Sequence, residues 1–115
     1  MKVVVAGSRT FHNRQLVFDV LDQWMRAGEI EEVISGCAAG PDSDAIEWAE
    51  QNGVPVDKHP AEWDTYGKSA GFIRNAEMAA IGDILLAFWD GQSKGTKHMI
   101  DCMQRKKKQV FIIGE

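Results

Sequence analysis

The feature that most constrains this chain is an alternation. Short apolar runs, rich in β-branched residues, end in small-residue or glycine-rich loops, and the loops open helical patterns. Val3 to Ala6 leads into Gly7-Ser8-Arg9, and Glu32 to Ser35 leads into Gly36-Cys37-Ala38-Ala39-Gly40-Pro41. Asp83 to Phe88 leads into Trp89-Asp90-Gly91-Gln92-Ser93-Lys94-Gly95-Thr96. Val54 to Lys58 and Val110 to Ile113 are two further runs, and Pro55 argues that the former starts at a sheet edge. Such runs read as strands buried on both faces.

The intervening segments have helical spacing. Val17, Val20, Leu21 and Trp24 follow Asn13, a suitable N-cap, and stop at Gly28. Pro41 suits the first position of a second helix ending at Asn52-Gly53, with Asp42 and Asp44 at its positive end. Ser69 is expected to cap a third helix carrying Ile73, Ala76 and Ala80, closed by Gly82, and a last helix spans about 96–106. Residues 59–69 read as irregular. Strands alternating with helices from end to end predict an α/β architecture, a single Rossmann-like three-layer domain over residues 1–115. The expected sheet has five mainly parallel strands in the order 3-2-1-4-5. Ligands in such sheets bind outside the carboxyl ends of the strands, here at the switch between the first and fourth.

Composition narrows the function classes. Apolar residues make up 44% and charged residues 26% of 115, which excludes a disordered chain and leaves room for one core and one cleft. Lys plus Arg is 13 against 17 for Asp plus Glu, a net charge of −4. A nucleic-acid binder usually carries a basic excess, so nucleic acid is not the expected partner. The one basic run, Arg105 to Lys108, falls where the last helix ends and reads as a solvated helix terminus. Cys37 and Cys102 make neither a disulfide scaffold nor a C-x-x-C motif, and His12, His59 and His98 share no ligand spacing, so no metal or cofactor is expected. No signal-peptide pattern follows Met1 and no apolar stretch approaches the roughly 18–20 residues that span a bilayer, so a cytoplasmic protein without membrane contact is expected.

Parallel connectivity places the three glycine-rich loops on one edge of the sheet. Helix N-termini there offer unpaired N–H groups to an anion, glycine permits close approach, and Arg9 adds a guanidinium. The pattern points to a phosphate-bearing small molecule. Neither a complete G-x-G-x-x-G nor a G-x-x-x-x-G-K-[ST] occurs. Gly91 to Gly95 spells G-x-S-x-G, but no histidine follows a downstream acid, so Ser93 reads as a helix cap or phosphate ligand rather than a nucleophile. Trp63 and Tyr66 lie in the polar stretch 59–69, where they either pack on the surface or stack on a base. Trp89 reads equally as core.

Four motifs together carry a resemblance. They are Ala6-Gly7-Ser8-Arg9, Ser35-Gly36-Cys37-Ala38-Ala39-Gly40-Pro41-Asp42, Tyr66-Gly67-Lys68-Ser69-Ala70-Gly71 with Arg74-Asn75-Ala76-Glu77-Met78, and Ala87 through Thr96. In this order they resemble the YspA-like (cpYpsA-related) branch of the SLOG superfamily, which also holds DprA and the LOG phosphoribohydrolases. The resemblance implies a Rossmann-like fold and binding of a nucleotide or nucleotide-derived ligand, with the protein acting as a sensor or sequestering module. It implies ligand contacts from Gly7, Ser8, Arg9, Ser35, Gly36, Cys37, Gly40, Asp42, Arg74, Asn75, Asp90, Gly91, Ser93, Gly95 and Thr96. The family motif usually reads Ser-Gly-Gly where this chain has Cys37, and the LOG catalytic glutamate is replaced by Met99. The alternative is a hydrolase cleaving an N-glycosidic or phosphate bond, with Asp90 or Asp42 as acid/base. Single-stranded DNA binding, by analogy with DprA, is a third reading, and self-association is expected because a small sheet leaves little wall for a pocket.

Overall fold

The structure is a computed structural model and describes residues 1–114. Five strands, β1 (Lys2–Gly7), β2 (Glu32–Ser35), β3 (Val56–Lys58), β4 (Ile84–Phe88) and β5 (Gln109–Ile113), form one sheet. All pairings are parallel and the order is β3-β2-β1-β4-β5, as the alternation predicts. Val3 to Val5 and Ile84 to Phe88 are essentially unexposed, which is why these central strands read as unbroken apolar runs. Both edges are short. β3 carries Asp57 and Lys58, whereas β5 leaves Phe111 and Ile112 40% and 53% exposed.

Helices cover both faces. On one, α1 (Arg14–Arg26) and α2 (Pro41–Asn52) bring Val17, Leu21, Ala45, Trp48 and Ala49 against Val3, Val5, Val33 and Leu86. On the other, α4 (Ala70–Ile81) and α5 (Lys94–Arg105) bring Met78, Ala79, Met99 and Met103 against Val4, Ile34, Leu85 and Ala87. The expected caps form at three termini. The Asn13 side chain accepts from the Leu16 N–H at 3.1 Å, Pro41 opens α2, and Gly53 closes it in the left-handed conformation.

Three local expectations are corrected. Residues 63–69 are not irregular: α3 (Trp63–Tyr66) and a 3₁₀ turn (Gly67–Ser69) run into α4, so Ser69 is already helical and its side chain caps nothing. The buried face of α4 is Ala70, Asn75, Met78 and Ala79, whereas Ala76 and Ala80 face solvent. α5 begins at Lys94, two residues earlier than expected, directly after Ser93, which is its N-cap as the sequence allowed. The basic run ends in a structural contact: Lys108 Nζ donates to the carbonyls of Ala79 (2.7 Å) and Ala80 (3.2 Å), closing α4 at the edge opposite the glycine loops. Among the described residues no helix is long and apolar enough to cross a membrane.

Candidate functional site

The carboxyl edge holds a cavity of about 530 Å³. Its floor is Ala6, Met78 and Met99, and its walls come from the loop after β1, the loop after β4, and α3 with the start of α4. The first two loops are tied together. The backbone N–H of Asp90 donates to Ser8 Oγ at 3.1 Å, the Ser8 N–H donates to the Phe88 carbonyl, and Thr10 Oγ1 donates to Asp90 at 3.1 Å. Gly7 is required where β1 leaves the sheet, since a Cβ there would stand 2.7 Å from the Phe88 carbonyl oxygen and overlap Pro41.

Of the expected ligand contacts, Gly7, Ser8, Arg9, Asp42, Arg74, Asn75, Asp90, Ser93, Gly95 and Thr96 line this cavity. Ser35, Gly36, Cys37 and Gly40 do not line it, and Gly91 lies in an adjoining groove with Trp89 and Ile112. From the β2 loop Ala38 lines the cavity, while Ser35, Gly36, Cys37 and Gly40 stand behind the wall. Ser35 Oγ donates to the Asp42 carbonyl at 2.8 Å and accepts from the Cys37 N–H at 3.2 Å. Arg74 Nη1 donates to the Gly36 carbonyl at 2.6 Å, and a Cβ on Gly36 would stand 2.6 Å from that nitrogen and 2.9 Å from Asp42 Oδ2. Cys37, where the family motif has glycine, keeps the glycine geometry, with φ of 65°. Its thiol points to the Ser35 carbonyl at 3.7 Å, and burial pushes its pKa up. A side chain there therefore does not narrow the cleft.

The two aspartates offered as acid/base differ sharply. Asp42 is 5% exposed, and burial pushes its pKa up to about 7, against the N–H groups of Ala38 and Gly7 and the charge of Arg74, which pull it down. Asp90 is exposed and held at about 2 by the backbone N–H groups of Ser93 and Gln92, each 2.8 Å from Oδ1. Asp90 is thus ionised at neutral pH and shapes its loop as an Asx turn. Ser93 is the α5 N-cap, its hydroxyl accepting from the Thr96 N–H at 3.4 Å. Trp89 packs on the core and donates to the Ser93 carbonyl at 3.1 Å. Among the described residues no cluster of three His, Cys, Asp or Glu side chains is arranged to hold a metal ion.

Sequence reasoning did not single out Thr10, Lys68, Phe72 or Gln92 as site residues, and all four line the cavity. Lys68 arrives there because the segment read as irregular is a short helix and a 3₁₀ turn, and Phe72 arrives from the first turn of α4. Trp63 lines the same wall, 52% exposed, and Phe72 is 53% exposed.

The sequence profile of the YspA, cpYpsA-related SLOG family matches residues 1–66. Gene 61 protein of Mycobacterium phage D29 is 40% identical over 114 residues, covering 93% of this chain and 89% of that protein. The chain belongs to the YspA, cpYpsA-related SLOG family. Among solved structures, this SLOG chain matches DNA processing protein A from Helicobacter pylori with a TM-score of 0.70 and 19% identity. The match covers 97% of this chain and 64% of that one, so the SLOG chain spans under two thirds of its length. That structure is described for its single-stranded DNA binding mode. The finding overturns the sequence-based expectation of a nucleotide-type small molecule with nucleic acid set aside, and nothing in it favours the hydrolase alternative. A net charge of −4 is a sum over the whole surface, whereas the cavity brings Arg9, Lys68 and Arg74 together with Asp42 and Asp90.

Proposed function

We propose that this SLOG domain binds single-stranded nucleic acid along the carboxyl edge of its sheet. The observation that carries the reading is the composition of one wall: Trp63 and Phe72, both more than half exposed, stand around a cavity that also holds Arg9, Lys68 and Arg74. Large aromatics left in water next to cations suit unstacked bases and the phosphates between them, and each stacked base contributes about 1–3 kcal/mol. Duplex DNA keeps its bases stacked inside and cannot use such a wall. Tyr66, 46% exposed, lies on the same short helix as Trp63 but does not line the cavity. Gly95, whose Cβ direction is open, lets a phosphate approach the start of α5. The described activity of the fold neighbour agrees with this reading.

Fluorescence anisotropy with a labelled oligothymidylate and the matching duplex tests it. The single strand is expected to bind, and to keep measurable affinity between about 50 and about 200 mM salt, because stacking is less screened than phosphate contacts. Combined replacement Trp63→Ala, Phe72→Ala should weaken it by at least about tenfold. Equal binding of duplex, or a double variant with unchanged affinity, would contradict the reading.

A further inference from the structure

Behind the aromatic wall lies a chain of side-chain hydrogen bonds that ends in the cleft. Arg74 Nε donates to Asn75 Oδ1 at 3.0 Å, and Asn75 Nδ2 donates to the Gly95 carbonyl at 3.2 Å. These two contacts fix which way the amide points, because a guanidinium only donates and a carbonyl only accepts. The same Asn75 Nδ2 stands 3.2 Å from His98 Nδ1. Nδ1 must therefore accept, which makes His98 a neutral ring with its proton on Nε2; Cys102 Sγ lies beside the ring, 3.5 Å from Nε2 and 3.8 Å from Nδ1. The His98 ring also lies against the Phe72 ring, with centroids 4.2 Å apart. Asn75 is 5% exposed, so its bonds have no ready replacement from water.

We infer that His98 is a positioning residue of the cleft: its neutral form locks Asn75, and through Asn75 the Nε side of the Arg74 guanidinium, whose Nη1 is held separately by the Gly36 carbonyl, and its protonation releases Asn75 and Arg74 Nε. A proton on Nδ1 would set two donors face to face at 3.2 Å, and they must separate. The amide then loses its hold on Arg74 Nε, and the ring that backs Phe72 shifts with it. On its own helix His98 faces Asp101, Cys102 and Arg105, and from α4 it meets Phe72 and Asn75 with Arg74 behind them. Burial and Arg105 hold its pKa below the usual histidine value, which keeps the locked form at neutral pH.

The inference rests on the cleft being a nucleic-acid site, but its first test does not. Long-range ¹H–¹⁵N spectra of the full chain should show the Nε2–H tautomer, with the Asn75 side-chain amide signals moving along the His98 titration curve. An Nδ1–H tautomer, or Asn75 signals indifferent to that titration, would overturn the lock. The second test is oligothymidylate affinity between about pH 8 and about pH 5. Acidification adds positive charge and ordinarily tightens binding to phosphates; the lock predicts weakening, by about fivefold for one lost hydrogen bond. His98→Asn, which retains an acceptor that does not titrate, should abolish that acid-side loss, whereas affinity rising on acidification in wild type would contradict the inference. If no oligonucleotide binds at any pH, the functional reading falls, while the spectra still decide the lock.

Discussion

The crossings from β2 to α2 and from β4 to α5 both carry glycines together with a serine and an aspartate, Ser35 and Asp42 in one and Asp90 and Ser93 in the other, and the structure uses them in opposite ways. Gly36 lies beneath Arg74 and Asp42, which approach to 2.6 and 2.9 Å of its Cβ position. Gly91 and Gly95 meet nothing within 4 Å. Asp42 is buried with a raised pKa, whereas Asp90 is exposed with a lowered one. The β2 loop is thus a support that side chains cover, and the β4 loop is a surface that faces the cavity. A glycine in a strand-to-helix loop has two physical causes, crowding from the protein and access for a ligand, and they leave the same letter in the sequence.

The comparison can be broken at several points. The largest expected effect follows the buried carboxyl. Asp42 has a native pKa of about 7 against 3.8 for the free group, so the native state binds its proton more tightly between those values. Its contribution therefore favours folding at acid pH and is lost as pH rises through about 7, a difference on the order of a few kcal/mol. Urea denaturation across this range should show that slope in wild type and not in Asp42→Asn. Asp90 has the opposite sign: its support is present above 3.8 and is lost as pH falls through about 2. Next in size is Gly36→Ala, expected to cost about 1–3 kcal/mol, because the new methyl displaces Arg74 or Asp42.

Cys37→Gly should stabilise by about 1 kcal/mol, since φ of 65° is strained for any residue with a Cβ. Thermal denaturation reads it, and a destabilised variant would show that thiol packing outweighs the backbone. The smallest effect is Gly95→Ala, expected to stabilise by about 0.5–1 kcal/mol in the first turn of α5 while reducing oligonucleotide affinity. If Gly95→Ala instead destabilised as much as Gly36→Ala, the two loops would not differ as described.

The strands and their order were legible because each central strand is apolar on both faces, as Val3 to Val5 and Ile84 to Phe88 are, and parallel crossovers leave few arrangements. The edge of the sheet where the cavity lies followed from that order. The wall of the cavity did not follow. Lys68 follows a helix that spans only Trp63–Tyr66, too short for periodicity to register, and Phe72 lies outside the buried face of α4. The crowding on Gly36 was not legible because it comes from Arg74, 38 residues away. The lock on Asn75 was equally invisible, since His98 reaches it only when α4 and α5 pack side by side. Net charge could not show the local grouping either, since Arg9, Lys68 and Arg74 come together at one cavity, with Asp42 and Asp90, only in the fold.

Photo-crosslinking tests the central claim most directly. A single-stranded oligonucleotide carrying 5-bromodeoxyuridine is irradiated with the protein, and the modified peptides are identified by mass spectrometry. The account predicts adducts on Trp63 and Phe72 at the carboxyl edge. Adducts concentrated on the Arg105–Lys108 run at the opposite edge, with Trp63 and Phe72 unmodified, would contradict it.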